Sequence, residues 1–281
     1  MKKKFLALSI MTVMSCMLLL TGCFGKLDTL SYEKASDVAL SNTYNVLVTD
    51  KNDLTKHGNF TYVNKITEMN FNEEKNIWET TETISTYKRV SQGADTILEI
   101  TEYEKTNNGL GVTEETTTRH IYTAITSGDT KNYYLLKEYK ENNNETIKTK
   151  EKTFETESAF VEEVYQKVAK DIMKEICNDF YFGGEKLLYV AVAGAEPTIK
   201  GTQDNCTFVL NYNTDSYSSS SYIIERTEFE MSVKIKDAKF DNYKTIINEY
   251  ENGVKLQSTE SVSSLSYSAE IARITSVDNY A

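Results

Sequence analysis

The fold class of this chain follows from residues 157–178, which read ESAFVEEVYQKVAKDIMKEICN. Apolar residues recur there at steps of three and four, which is typical of the buried stripe of an amphipathic helix: Phe160, Val161, Val164, Val168, Ile172, Met173 and Ile176. Thr156 stands where an N-cap belongs, and Gly183–Gly184 lies beyond the last turn. A stripe of this size needs an apolar surface to lie on, so we predict a long central helix over about residues 157–178 packed against a sheet.

The segment before this helix has the pattern of antiparallel strands. Thr, Ile, Val and Tyr are frequent from Asn59 to Phe154, as they are in strands. The pair Asn108–Gly109 is the sharpest hairpin signal, because both positions of a type I′ turn need residues that tolerate positive φ. Clusters of turn residues divide the segment into about six strands, at 70–76, 107–111, 127–129 and 142–144.

Strand patterns return after the helix. Apolar and polar residues alternate over Phe229–Lys236, which predicts a strand with one buried face. A hairpin through Asn252–Gly253 leads to a predicted last strand, Leu265–Ala272. With a first helix expected over about residues 28–48, these patterns indicate an α+β fold, with one continuous antiparallel sheet, helices on one side, and a single β-rich domain over residues 31–281.

The N-terminus has the pattern of a secretory signal peptide. Lys2, Lys3 and Lys4 precede an apolar stretch, Phe5–Leu20, that is too short for a transmembrane helix. The last residue of this stretch begins a group of four that resembles the lipobox of bacterial lipoproteins: Leu20, Thr21, Gly22 and Cys23. The alternatives are an ordinary signal peptide cut near the same place and a chance Gly-Cys pair.

The lipobox resemblance implies a cellular location for the protein. It implies that residues 1–22 are a signal peptide and that Cys23 becomes the first residue, carrying thioether-linked diacylglycerol with acyl chains such as palmitate. Residues 23–30 would then be the lipidated N-terminus and a short tether. Two acyl chains suffice for stable attachment, so the resemblance places the protein on the extracytoplasmic face of a cell membrane, in a Gram-positive or a Gram-negative envelope.

Charge narrows the range of partners. The net charge is −11 with the signal lysines included, so nucleic acid is not an expected partner and a polybasic contact with lipid headgroups is not expected either. Of the four cysteines, Cys16 belongs to the signal and Cys23 to the lipobox. Cys177 and Cys206 remain, and their spacing is compatible with one disulfide or with two free thiols.

Motifs for catalysis are missing from the sequence. His57 and His120 are the only histidines, which leaves little material for a Ser-His-Asp arrangement or a metal site. Ser31–Lys34 and Ser85–Lys88 match Ser-x-x-Lys but lack the partner motifs of penicillin-interacting enzymes. A carboxylate pair for glycoside chemistry stays open from sequence alone. We expect no enzyme activity, no cofactor and no metal.

The order of helix, long strands, long helix and closing strands resembles the half-barrel lipoproteins and lipoprotein carriers of the LolA and LppX type over most of residues 30–275. The resemblance implies a large curved sheet, half-barrel-like, with a lipid or other apolar ligand bound between the sheet and the helices. The expected ligand face consists of Phe229, Met231, Val233, Leu265, Tyr267 and Ile271 on the strands, with Val164, Val168 and Ile172 on the helix. The alternative hypothesis is that the same residues fill an ordinary core and line no ligand cavity. A second hypothesis is a structural or interaction lipoprotein, without catalysis, that binds another envelope protein or a host protein.

Overall fold

The computed structural model describes residues 32–48, 58–92, 95–181, 198–218 and 223–281. Within them, eleven antiparallel strands form one open sheet with helices on one face. The strands are β1 Phe60–Asn72, β2 Ile77–Gln92, β3 Asp95–Asn107, β4 Thr113–Ser127, β5 Thr130–Glu141, β6 Ile147–Phe154, β7 Thr198–Gly201, β8 Cys206–Ser218, β9 Ile223–Lys236, β10 Lys239–Glu251 and β11 Val254–Ser266. The helices are α1 Tyr32–Leu47, α2 Glu157–Gln166 and α3 Met173–Tyr181, and a π-helical segment, Lys167–Ile172, joins the last two.

Two meanders meet side by side to make the sheet. The strand order is β6-β5-β4-β3-β2-β1-β11-β10-β9-β8-β7, so each half consists of sequence neighbours and β1 pairs with β11 where the halves join. The edges β6 and β7 are not paired with each other, and the sheet is open. The predicted fold class is confirmed, as are the first helix, the six strands of the first half and the central helix.

The central helix packs as its apolar stripe predicts. Phe160, Val164, Val168, Ile172 and Ile176 are each at most 2% exposed. The hydroxyl of the cap residue, Thr156, accepts a hydrogen bond from the amide of Ala159 at 3.2 Å. The structure differs from the prediction in the middle of the helix, where the π-helical segment inserts one wide turn, and at its end, which lies at Tyr181.

Two predictions about the strands are corrected. The loop at Asn108–Gly109 is not a two-residue type I′ turn, because only Gly109 of that pair has positive φ; instead the Asn108 side chain accepts hydrogen bonds from the amides of Leu110 and Val112. The last strand ends at Ser266 and not at Ala272. Its neighbour β1 begins at Phe60 and pairs Thr61 with Ser266, so little backbone remains for the chain to pair with beyond that point.

The hairpin predicted at Asn252–Gly253 is confirmed. Both residues have positive φ, 49° and 82°, as a type I′ turn requires.

The core lies toward one end of the long strands. In β1 only Phe60 and Tyr62 are buried, and in β11 only Ser263 and Leu265. The opposite strand ends, which meet in the hairpins at 72–77, 107–113, 141–147 and 251–254, are half-buried or exposed. None of the helices in the described ranges is both long and apolar enough to cross a membrane.

Candidate functional site

Most of the predicted ligand face is a filled core. The residues of this face that are at most 4% exposed are Phe229, Met231, Val233 and Leu265 on the strands, with Val164, Val168 and Ile172 on the helix. They belong to one continuous apolar cluster that also takes in Phe60, Tyr62 and Phe240. The structure therefore places these side chains against one another, as in an ordinary core.

Tyr267 and Ile271 lie outside β11, contrary to the prediction. The Tyr267 hydroxyl donates a hydrogen bond to the carbonyl of Phe240 at 3.0 Å and lies 3.3 Å from the hydroxyl of Thr43, which ties the chain to α1. Burial raises the pKa of Tyr267 to about 12. Ile271 packs on the other face of the sheet, against a second small cluster of Ile97, Ile121 and Leu136. The physical reason is that the chain leaves the sheet at Ser266 and loses the alternation that the prediction assumed.

The remaining predicted site residues are the cysteines and the lipobox. Cys177 is half-buried on α3 and Cys206 is buried at the start of β8, and the two are not joined in a disulfide. Burial raises the pKa of the Cys206 thiol. Leu20, Thr21, Gly22 and Cys23 lie outside the described residues.

A cavity of about 300 Å³ lies between the sheet and the π-helical segment. It is on the helix-covered face over β2 to β6, beside the part of the gap that the core fills. Its walls combine aromatic, apolar and charged side chains: Tyr87, Ile100, Glu102, His120, Tyr122, Leu135, Glu151, Lys167 and Asp171. Volumes of this size are at the small end of ligand sites in proteins.

Strand register explains why the β-strand groups share this cavity. Tyr87, Ile100, His120 and Lys137 stand directly opposite one another on β2, β3, β4 and β5. Residues that are directly opposite in antiparallel strands point to the same face. Tyr87, Ile100 and His120 of this row therefore line the floor of the cavity, and Lys137 is the next residue along the row.

A β-bulge brings Glu151 into the cavity. The register of β6 against β5 shifts between Leu135, which pairs with Lys152, and Leu136, which pairs with Lys150. Glu151 is the extra residue, and bulges of this kind change the direction of a side chain. Its carboxylate lies 3.3 Å from Nδ1 of His120 and 3.6 Å from Nζ of Lys137.

The π-helical segment forms the roof. It begins at Lys167 and carries Asp171, and both side chains line the cavity. The Lys167 ammonium donates a hydrogen bond to the Asp171 carboxylate at 3.0 Å. Single π-helical turns widen a helix locally and are frequent at functional sites. Two one-residue irregularities, one in β6 and one in the helix, thus meet at the same cavity.

Carboxylates dominate the electrostatics of the cavity. The pKa of Tyr122 is raised, first by burial and then by the charges of Glu163, Asp171 and Glu151. The pKa of Tyr87 is also raised, first by burial and then by Glu102, Glu175 and Asp171. Both tyrosines are therefore neutral hydroxyl groups in a region of negative potential.

A second recess, of about 420 Å³, lies beside the hairpin ends of β8 to β11. Its polar groups bond to one another: Arg226 pairs with Glu228 at 3.0 Å, and the Tyr250 hydroxyl donates to Glu228 at 2.7 Å. Within the described ranges no group of three or more His, Cys, Asp or Glu side chains is arranged to hold a metal ion.

Sequence reasoning missed most of the cavity. The strands predicted from Asn59 to Phe154 include position 120, and β4 confirms a strand there, but no neighbours were predicted for His120. Alternation along β2, β3 and β4 would have put Tyr87, Ile100 and His120 on one face once the register was known. No comparable signal existed for Glu151, because its direction depends on the bulge.

The fold and the cavity define a class of architecture: an open antiparallel sheet of eleven strands in the described residues, with helices over one face and a cavity beneath them. No family model matches the chain, and no curated protein sequence matches it. The chain is similar to a beta-barrel-like protein of a domain of unknown function, DUF1849, from Brucella abortus, with a solved crystal structure. The identity is 9%, the match covers 74% of this chain and 96% of that chain, and the TM-score is 0.24.

Proposed function

We propose that this protein is a lipid-anchored, extracytoplasmic binding protein that holds a small amphiphilic ligand in the helix–sheet cavity. The observation that carries the proposal is the cavity of about 300 Å³, in which charged groups from three strands and the helix meet apolar walls. Binding sites usually combine apolar walls with a few convergent polar groups. The lipobox residues Leu20–Cys23 support the proposed location, and they make the membrane a partner of the protein through the lipid anchor.

The ligand we propose is shorter and more polar than the acyl chains bound by the half-barrel carriers. The side chains expected to bind such a chain are packed in the core. In the open part of the gap, Ile100 and Leu135 are the aliphatic walls, and Glu102, His120 and Glu151 stand beside them. A long hydrocarbon chain would bury these polar groups without hydrogen-bond partners, which is unfavourable.

Ligand retention tests this proposal. The chain from Phe24 onward is purified from a bacterial host without detergent and studied by native mass spectrometry and by extraction. We expect a bound compound in wild type and its loss in Ile100→Trp, where the larger side chain fills the cavity. Val112→Trp is the matched control, because Val112 is exposed at a hairpin. Retention by Ile100→Trp with an unchanged thermal midpoint, or no bound compound in wild type, would contradict the proposal.

The anchor has its own test. We expect Cys23→Ala to remove the acyl mass and to release the protein from the membrane fraction, whereas Cys16→Ala, within the predicted signal, should leave both unchanged. Membrane attachment of Cys23→Ala with the mass of an unmodified chain would rule out lipidation.

A specific observation also favours the second hypothesis, a protein-binding lipoprotein. Six exposed large apolar residues lie at or near the hairpins that join the uncovered ends of the strands: Met69, Leu110, Val112, Ile147, Ile224 and Val254. Contiguous exposed apolar patches typically mark interaction surfaces, and these six residues share one rim of the sheet. A photo-cross-linking residue at position 110 should capture an envelope or host protein on intact cells, and the same residue at Lys174, on the helix, should not.

A further inference from the structure

The cavity walls carry more negative than positive charge. Three carboxylates line it, Glu102, Glu151 and Asp171, against the ammonium of Lys167, the imidazole of His120 and the ammonium of Lys137 beside Glu151. Lys167 is already bonded to Asp171, and both His120 and Lys137 lie against Glu151. Glu102 has no hydrogen-bond or ion-pair partner within the described parts of the chain. An incoming anion would therefore meet carboxylates, and the cationic groups that could receive it are occupied.

The aromatic walls add to this preference. Tyr87 and Tyr122 both line the cavity, and the charges around them come from β3, β6 and the helix. The face of an aromatic ring attracts a cation within about 6 Å of its centre. A combination of carboxylates and tyrosine rings around a partly apolar space is the environment that recognises an organic ammonium group.

We propose that the ligand of the helix–sheet cavity is an organic cation whose ammonium group lies among Glu102, Glu151 and Asp171, with its apolar part against Ile100 and Leu135. This inference rests on the proposed function, because it assigns a chemical class to the ligand of the same cavity. A protonated amine and a quaternary ammonium share the required chemistry. Ion pairing with the carboxylates holds the charged end, and burial of the hydrocarbon part adds affinity.

Two probes of the same shape separate charge from shape. Choline carries a quaternary ammonium, and 3,3-dimethylbutan-1-ol is its uncharged isostere. Binding of each to the full-length protein in an uncharged detergent is measured by calorimetry. We expect choline to bind about tenfold or more tightly than the alcohol, a ratio that corresponds to roughly 1.4 kcal/mol. Equal binding, or tighter binding of the alcohol, would overturn the cation assignment.

Substitutions of the cavity carboxylates test where the positive charge of the ligand binds. Glu102→Gln and Asp171→Asn each remove a carboxylate with little change of shape, and we expect each to lower the preference for choline several-fold. Glu104→Gln is the matched control, because Glu104 is exposed two residues further along β3 and does not line the cavity. Unchanged preference in both cavity variants, with circular dichroism that shows native folding, would also overturn the assignment.

The two proposals fail in different ways. A compound retained by wild type and lost in Ile100→Trp, together with no preference for choline, leaves the binding function standing and removes only the cation. Absence of any retained compound and of binding by either probe removes both. A retained compound that proves on extraction to be anionic or uncharged likewise rules out the cation alone.

Discussion

Ala238 has a left-handed backbone, with φ of 54°, as the second residue of the two-residue turn between β9 and β10; Asp237 before it has φ of 51°. A residue with a Cβ pays roughly 1–2 kcal/mol for this conformation, and glycine does not. Glycine loses more freedom on folding, which offsets part of the gain. We expect Ala238→Gly to raise the free energy of unfolding by about 0.5–1 kcal/mol, measured as the shift of the urea midpoint.

A control for the Ala238→Gly variant is the same substitution within a helix. Ala159→Gly places glycine in the first turn of α2, where helical φ favours alanine, and should lower stability. A lower urea midpoint for Ala238→Gly would show that the strain at this turn is relieved in another way.

Glu138, on the face of the sheet opposite the helices, makes a pH-dependent contribution to the stability of the fold. Burial alone would raise the pKa of Glu138, but hydrogen bonds from Tyr280, Lys148 and Arg119 outweigh burial and lower the pKa from 4.5 to about 2. Arg119 also bonds Glu99, so the arginine lies between two carboxylates. A carboxylate with a lowered pKa stabilises the fold above its unfolded pKa, and this stability is lost as pH falls through the folded pKa.

The expected pH window follows from those two values. Between about pH 4.5 and about pH 2, the urea midpoint of wild type should fall toward that of Glu138→Gln, which lacks the titrating group. Glu104→Gln, at an exposed position, should follow the wild-type curve. A constant difference between wild type and Glu138→Gln across this window would show that the charge of Glu138 does not stabilise the fold.

At the scale of single elements, the start of α2 depends on one hydroxyl. Thr156 has an extended backbone, with φ of −138° and ψ of 153°, and its side chain accepts from the amide of Ala159. Loss of such a cap typically costs about 1 kcal/mol. Thr156→Ala should lower the free energy of unfolding by about that amount, whereas Thr156→Asn retains the cap and Ser158→Ala, one position inside the helix, should be nearly neutral. Equal stability of Thr156→Ala and Thr156→Asn would show that water replaces the cap.

The elements also show how far the sequence predicts this fold. The helix Glu157–Asn178 and the strand Phe229–Lys236 were predictable because burial of one face imposes a period of 3.6 or 2 residues. The π-helical segment and the bulge at Glu151 were not predictable in this way, because each inserts a single residue and leaves the pattern on either side intact. These two insertions shape the cavity, so the site was harder to predict than the fold.

At the scale of the whole molecule, the sheet has an apolar cluster on each face. The larger cluster lies beneath the helices, and the smaller one consists of Ile97, Ile121 and Leu136, each at most 1% exposed, with Tyr280. No helix of the described structure packs over the smaller cluster. The chain after Ser266 covers it, through Ile271, Ile274, Val277 and Tyr280. The segment after Ser266 therefore buries the apolar cluster on one face of the sheet, as the helices bury the cluster on the other face.

Hydrogen bonds hold the covering segment at the edge of the sheet. The amide of Ala281 donates to the carbonyl of Lys148 at 3.1 Å, and the amide of Lys150 donates to the carbonyl of Ala281 at 2.9 Å. The Tyr280 hydroxyl donates to Glu138 at 2.7 Å. These contacts pair part of the β6 edge, and the Tyr280 hydroxyl becomes a hydrogen-bond partner of the half-buried Glu138 carboxylate.

Removal of residues 270–281 tests the role of this segment. The truncated chain exposes Ile97, Ile121 and Leu136, and burial of such side chains contributes about 1.5–3 kcal/mol each, so we expect a loss of roughly 4–9 kcal/mol in the free energy of unfolding. Tyr280→Phe removes only the hydroxyl and should cost about 1 kcal/mol. Urea unfolding measures both, and binding of an apolar dye should rise in the truncated chain alone. Because the helix–sheet cavity lies on the other face, ligand binding should survive truncation wherever the sheet stays folded. Unchanged stability and dye binding in the truncated chain would contradict the prediction, because they would show that residues 270–281 do not stabilise the outer face of the sheet.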